Sequence, residues 1–468
     1  GSIMKKPNIL YLQTHDCGRF ISPYGYDMPT PNMMKFAKEG VVFRNACCAS
    51  PTCSPSRAAL MFGQYGHVNG VMGLTWMGDW YEPKDFSHHL VRFLKKQDYQ
   101  CALAGNHHIS RDLKEKIGYD RVLNSYGRGT PPDELDYPEA IELSNIEAAA
   151  KFMQEDHDKP FFLSVGFEEP HSYGPDRRRF AEDAEYVQPD SDAAKYARPF
   201  PIYPDNEVSR SVKANFQAAT KIIDDKFGAV LDALDKSGHK EDTLVIMTTD
   251  HGAGMPDMKG NLTEWGIGVF LMLRGPGVPE GEVLDGIVSH VDIFPTICEY
   301  IGADQPDWLQ GNSMMPMLRG EKAEVNDCIY AEQGYHGVPR PLRAIRTQTH
   351  KLIHCYNTDC NKDYYSIDAG DMFEYWKEMG LDKIPVPEYA LYDLVFDPLE
   401  RCNQADNPAY REVFEDLKKR LDTFMRKTGD PLVSGVLPPS PEMIAKQTNP
   451  EMTYDEYRTM RKQTESQA

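Results

Sequence analysis

Cys53 sits in the run Pro51-Thr52-Cys53-Ser54-Pro55-Ser56-Arg57-Ala58-Ala59-Leu60-Met61. Proline suits the first helical turn, so a helix is predicted to begin near Pro55 or Ser56. Its N-terminus would offer free N–H groups and positive potential to an anion beside Cys53. Arg57 adds a fixed charge one turn in. An ordinary capped helix with a buried thiol fits the same spacing equally well. The chain carries 51 Lys+Arg against 71 Asp+Glu, a formal net charge of −20. Such a surface repels nucleic acid and anionic membranes, so neither is expected as a partner. An anionic substrate would need cations concentrated locally, and a metal ion is one economical way to supply them.

Other reactive side chains follow strand-like runs. Asn8–Leu12 leads into Gln13-Thr14-His15-Asp16, and 101–104 into Gly105-Asn106-His107-His108. Residues 161–167 lead into Glu168-Glu169-Pro170-His171, and 243–247 into Thr248-Thr249-Asp250-His251. Near-continuous apolar runs of this length suit strands buried on both faces of a parallel sheet. Amphipathic spacing predicts helices over 89–97 and 213–235 between them. Alternating strands and helices imply an α/β fold, and in open α/β sheets ligands bind outside the carboxyl ends of the strands. All four polar clusters fall at that edge.

From about residue 326 the pattern changes to short strands at 328–330, 342–346 and 351–354, with 393–398 read as strand then turn. A helix is predicted over 409–426, then a polar tail over 436–468 that wraps the surface or is loosely held. The chain of 468 residues therefore divides into a catalytic domain over 4–325 and a smaller α+β domain over 326–468. The ten cysteines lack the spacing of a disulfide scaffold. Cys355 and Cys360 either pair or stay free, and free thiols in a reducing compartment are the plainer expectation. Gly1-Ser2 reads as a tag-cleavage scar and Met4 as the start. With no signal peptide visible the expected location is cytoplasmic, or periplasmic or secreted if a signal was removed. Nothing in the sequence specifies an oligomeric state.

The core Cys53-Ser54-Pro55-Ser56-Arg57, followed by Ala58-Ala59-Leu60, resembles the signature Cys-x-Pro-Ser-Arg-x-x-Leu of the formylglycine-dependent (type I) sulfatases. The resemblance implies an alkaline phosphatase-like fold: a mixed, mostly parallel sheet between helices, with a smaller C-terminal α+β domain. It implies that a formylglycine-generating maturase oxidises Cys53 to an aldehyde. One hydroxyl of the hydrated aldehyde attacks sulfur, and deprotonating the other expels sulfate. Asp16, Asp250, His251 and modified Cys53 then stand as metal ligands, together with His15. Carboxylate oxygens suit Ca²⁺ first, then Mg²⁺. The family usually has Asp-Asp where this chain has His15-Asp16, a change that favours Mn²⁺ or Zn²⁺ or leaves His15 outside the metal shell.

His108 matches the histidine of a Gly-Lys-x-His motif in which Asn106 replaces the lysine, with His107 as the residue that would compensate. His171 matches the histidine that protonates the leaving group, and Lys259 the cation that binds sulfate. Residues 264–276 resemble the family's next strand. The likeness runs from residue 8 to about residue 425. It is strongest to the heparan N-sulfatase (sulfamidase) branch, through Phe43-Arg44-Asn45-Ala46, Gly66-His67-Val68-Asn69-Gly70 and Pro341-Leu342-Arg343-Ala344.

The implied reaction is hydrolysis of a sulfate ester or sulfamate on a carbohydrate, of glycosaminoglycan type. Candidates for substrate contact are His67, Asn106, His107, His336, Arg340 and Arg343, with surface ion pairing an equal reading for the two arginines. A phosphonate or phosphate ester hydrolase on the same scaffold is the alternative chemistry. An inactive binding protein is the alternative class, against which Cys53, Arg57, His171 and Lys259 argue.

Overall fold

The computed structural model describes residues 5–75, 81–124, 135, 143–358 and 368–467. In chain order the strands are β1 (Asn8–Thr14), β2 (Val41–Phe43), β3 (Ala46–Cys47), β4 (Gln100–Gly105), β5 (Arg121–Val122), β6 (Phe161–Gly166) and β7 (Thr243–Thr249). They continue as β8 (Leu271–Arg274), β9 (Glu282–Leu284), β10 (Val288–Ser289), β11 (Ile329–His336), β12 (Val338–Arg346), β13 (His350–Cys355) and β14 (Tyr389–Asp393).

Eight of these pair in the order β5-β4-β6-β1-β7-β8-β2-β9. The run from β5 to β7 is parallel. β8 is antiparallel to both β7 and β2, while β2 and β9 are parallel. β3 and β10 form a short parallel pair. The predicted runs after residues 8, 101, 161 and 243 thus become the four adjacent strands β4-β6-β1-β7.

Burial explains why these runs form a sheet covered on both sides. Ile9 and Tyr11 of β1 join one apolar cluster with Leu244, Ile246 and Phe162. The alternate residues Leu10 and Leu12 join another with Val245, Met247 and Leu163. Helix Glu207–Lys236 closes that second face with Ile223, Phe227, Val230 and Leu234. Each such side chain contributes about 1.5–3 kcal/mol when fully buried.

Register brings the strand ends together. Thr14 pairs with Thr249, Gln13 with Gly166, and Gly105 with Gly166. Strands lie about 4.8 Å apart, so the four following loops emerge side by side. At the end of β4, Gly105 has φ +82, and a Cβ there would fall 2.1 Å from the Gly166 carbonyl oxygen. Only glycine makes that turn against β6.

The smaller sheet, β11-β12-β13-β14, is antiparallel throughout. Helix Arg411–Lys427 packs on it through Phe414, Leu417, Leu421 and Met425. Two expectations need correction. The run 264–276 is a short helix, Glu264–Ile267, and then β8, because Gly266 and Gly268 interrupt it. In the stretch 393–398 only Asp393 is strand, as the last residue of β14, and turn begins at Leu394, so most of the strand lies upstream. The tail forms helices Pro441–Thr448 and Tyr454–Gln467. It docks through Tyr81 and Tyr335, whose hydroxyls donate to the Pro438 and Leu437 carbonyls. Among the described residues no helix is long and apolar enough to cross a membrane. The cysteines described are free, and Cys360 lies outside the described residues.

Candidate active site

Cys53 is the first residue of helix Cys53–Phe62, and every residue of that helix is buried. Thr52 precedes it in extended conformation, Pro55 lies in its first turn, and Gly63 ends it at φ 62. Arg57 leaves this helix to donate to Gln13 Oε1 and to reach Asp250 Oδ2 at 3.2 Å. Ser56 Oγ donates to the Asp250 carbonyl. The helix that begins at Cys53 is thereby tied to the ends of β1 and β7. The Cys53 sulfur lies 3.5 Å from His251 Nε2. Burial pushes the Cys53 thiol far above its ordinary pKa despite Lys259 nearby, so a free thiolate is not on offer.

Asp16 and Asp250 close the cluster. The Asp16 amide donates to Asp250 Oδ1 at 2.9 Å. His15 Nδ1 stands 3.4 Å from Asp250 Oδ2 and 3.7 Å from Asp16 Oδ1. His251 Nε2 stands 3.3 Å from Asp16 Oδ1 and 3.5 Å from Asp250 Oδ2. One donor atom from each of His15, Asp16, Cys53 and Asp250 falls within 4.8 Å of the others. Burial opposes charge on both acids, but Lys259 holds Asp16, and His251 with Arg57 holds Asp250, below the ordinary carboxylate range. Burial and then Arg57 hold His15 neutral. Asp16 Oδ1 and His15 Nδ1 are buried without hydrogen-bond partners among the described residues. Two buried carboxylates and a neutral imidazole converging on one point fit a divalent cation.

The other catalytic candidates ring this point. Lys259 Nζ is 3.3 Å from Asp16 Oδ2. His171 Nε2 is 3.8 Å from the same oxygen, and its Nδ1 is 2.8 Å from the Ser172 carbonyl oxygen. His108, at φ 58, sets its ring 4.9 Å from that of His15. His336 is half-buried, and its pKa is pushed down to about 3 by burial first and then by Lys259.

Several candidates for substrate contact are buried and engaged inside the protein. His67 is satisfied internally, with Nδ1 2.7 Å from Glu332 Oε1 and Nε2 2.8 Å from Thr428 Oγ1. Arg343 forks onto Asp430 at 2.6 and 3.0 Å and donates to the Gln333 and Leu342 carbonyls. Arg340 donates to the Gly260 carbonyl at 3.0 Å and Asn261 Oδ1 at 3.1 Å, bracing the loop that carries Lys259. His107 turns inward, its ring 5.7 Å from His89 and 5.6 Å from Tyr119, so it does not compensate at position 106. Asn106 is 1% exposed and meets His15, not the surface.

One acid beside these residues was invisible in the sequence. Asp368 Oδ2 lies 3.4 Å from Lys259 Nζ and 3.8 Å from His171 Nε2. Gly254 admits it: a Cβ there would fall 2.5 Å from Asp368 Oδ2 and 3.0 Å from Asp16 Oδ2. Asp368 stands between Asp363 and Asp371 with no pattern to single it out, and only folding places it here.

The chain matches the Sulfatase family over residues 7–303 and the family "N-sulphoglucosamine sulphohydrolase, C-terminal" over 259–384. It is 25% identical to the N-sulphoglucosamine sulphohydrolase of Homo sapiens over 473 residues, covering 91% of each chain. It is 27% identical to an ulvan-active sulfatase of Formosa agariphila over 452 residues, covering 93% of this chain and 83% of that one. Its fold superposes with TM-score 0.67 and 20% identity on an enzyme solved in complex with D-glucosamine-2-N,6-O-disulfate, covering 91% of this chain and 99% of that one. The fold is alkaline phosphatase-like, and the chemistry it carries is that of a sulfuric ester hydrolase. The chain belongs to the sulfatase family.

Proposed function

We propose that this enzyme hydrolyses a sulfate ester or sulfamate on a carbohydrate, using formylglycine made from Cys53. The observation that carries the reading is the position of Cys53: first residue of a buried helix, facing Asp16, Asp250 and His251, with its own thiol held protonated. The names and bound substrate of the relatives support a sugar as the carrier, with N-sulfoglucosamine of heparan type as the leading candidate. The catalytic unit is residues 4–325, and 326–468 form the smaller unit that contributes His336 and Asp368.

A formylglycine-generating maturase supplies the aldehyde, whose hydrate gives residue 53 a hydroxyl nucleophile and an exit route for sulfate. A divalent cation held by His15, Asp16, Asp250, His251 and residue 53 would withdraw charge from the sulfuryl oxygens. Arg57 and Lys259 add fixed positive charge near residue 53, where charge develops during transfer. His171 Nε2 faces away from its anchored Nδ1 toward the cluster, which supports His171 as the acid that protonates the departing atom. His108 packs edge-on against His15 and closes the wall beside it.

Protein made with the maturase should turn over an aryl sulfate and N-sulfoglucosamine, and Cys53→Ala should abolish both while leaving the melting temperature unchanged within a few degrees. Turnover of an aryl phosphate diester in preference to both sulfuryl substrates would overturn the reading in favour of the phosphoryl alternative.

A further inference from the structure

His15 presents two faces to two different partners. Its Nε2 meets the Asn106 side-chain amide, and its Nδ1 points toward Asp250 and Asp16. Around this contact three buried atoms have no hydrogen-bond partner among the described residues: Asn106 Oδ1, His15 Nδ1 and Asp16 Oδ1. Which end of an amide carries oxygen is an assignment set by the surrounding network. Turning the Asn106 amide over puts its carbonyl oxygen on Nε2. That oxygen can only accept, so the imidazole proton must sit on Nε2. The lone pair then sits on Nδ1, facing two carboxylates. Three electron-rich atoms converging in a dry interior repel one another unless a cation lies between them. The opposite tautomer would put a proton on Nδ1 and make His15 a donor to Asp250, outside any metal shell.

We propose that Asn106 is a positioning residue: its carbonyl holds His15 in the Nε2–H tautomer, so that His15 enters the cation site through Nδ1. This rests on the reading of the cluster as a metal centre, and it assigns the metal class. An imidazole nitrogen among carboxylates shifts the site from calcium toward manganese or zinc. The single contact also accounts for His15 and Asn106 together, since each residue needs the other. The rings of His108 and His171, 4.9 and 5.5 Å from His15, keep it from swinging out of this line.

The test is calorimetric titration of EDTA-stripped full-length protein with MnCl₂ and CaCl₂. The wild type is expected to bind Mn²⁺ at least about tenfold tighter than Ca²⁺. Asn106→Ala should lose about 10- to 100-fold in Mn²⁺ affinity, the range for removing the partner of a ligating histidine, with a much smaller loss for Ca²⁺. Asn106→Asp keeps an acceptor on Nε2 and should retain Mn²⁺ binding. His15→Asp should move the preference to Ca²⁺ and serves where Asn106→Ala fails to fold. Equal losses for both metals in Asn106→Ala, or a wild type that prefers Ca²⁺, would overturn the proposal. Binding of neither metal by the wild type would overturn the metal-centre reading itself.

Discussion

Arg57 and Asp250 form a buried ion pair, Nη2 to Oδ2 at 3.2 Å, that joins the helix beginning at Cys53 to the carboxyl end of β7. Arg57 also donates to Gln13 at the end of β1, so one guanidinium fixes residue 53 against two central strands. Arg57→Ala should lower kcat/KM by about 10²- to 10³-fold, the range for removing one group that stabilises developing charge. It should also cost stability, because Asp250 is left buried without its partner. An unchanged kcat/KM in the folded variant would separate Arg57 from the chemistry.

Asp368 offers a test of substrate class. It lies 3.8 Å from His171 Nε2, the nitrogen proposed above to protonate the departing atom. Burial opposes its ionisation, but Lys259 and His171 hold it below the ordinary carboxylate range, so it accepts hydrogen bonds. A sulfamate nitrogen carries a hydrogen to donate, and an ester bridging oxygen does not. Asp368→Asn should therefore lose about tenfold or more kcat/KM on a sulfamate relative to an aryl sulfate, the value of one charge-assisted hydrogen bond. Equal losses on both would mean that Asp368 serves only to hold Lys259.

Arg343 is predicted to matter for folding and not for substrate. Arg343→Met leaves Glu332 and Asp430 buried with only His67 beside them and should cost about 3–5 kcal/mol in denaturant unfolding. The fraction that stays folded should keep its KM. A raised KM with unchanged stability would return Arg343 to the list of substrate contacts.

Buried histidines set the acid limb of stability. Burial pushes His107 and His290 down to about 3, from an unfolded value near 6.5. Below pH 6.5 the unfolded chain gains protons that the folded chain refuses, so stability falls as pH falls and is level above that value. Each histidine contributes up to about 1.4 kcal/mol per pH unit. Urea midpoints at pH 7.5 and 5.5 should show this slope, and His290→Gln should remove one proton's share. An identical slope in the variant would contradict the assignment.

The central sheet was legible because β1, β4, β6 and β7 are buried on both faces, which writes continuous apolar runs into the sequence. Their polar endings then located His15, Asp16, His108, His171, Asp250 and His251 at one edge. Lys259 was legible from its offset after Asp250. What failed depended on long-range packing. His67 and Arg343 sit near recognisable motifs, but proximity along the chain does not say which way a side chain turns. They turn toward each other's acids, Glu332 and Asp430. Asp368 carried no pattern at all, because it reaches the site only when the region around the smaller sheet packs beside Gly254. The partnership of Asn106 with His15 likewise exists only once β4 and β1 are placed one strand apart.

The direct test of the central claim is the mass of the peptide containing residue 53, taken from the same preparation whose sulfatase activity is measured. Conversion of Cys53 to formylglycine lowers that mass by ~18 Da, since sulfur and two hydrogens are lost and one oxygen is gained. Specific activity should rise in proportion to the converted fraction across preparations made with and without the maturase. Full activity in protein whose residue 53 carries the mass of an intact cysteine would contradict it.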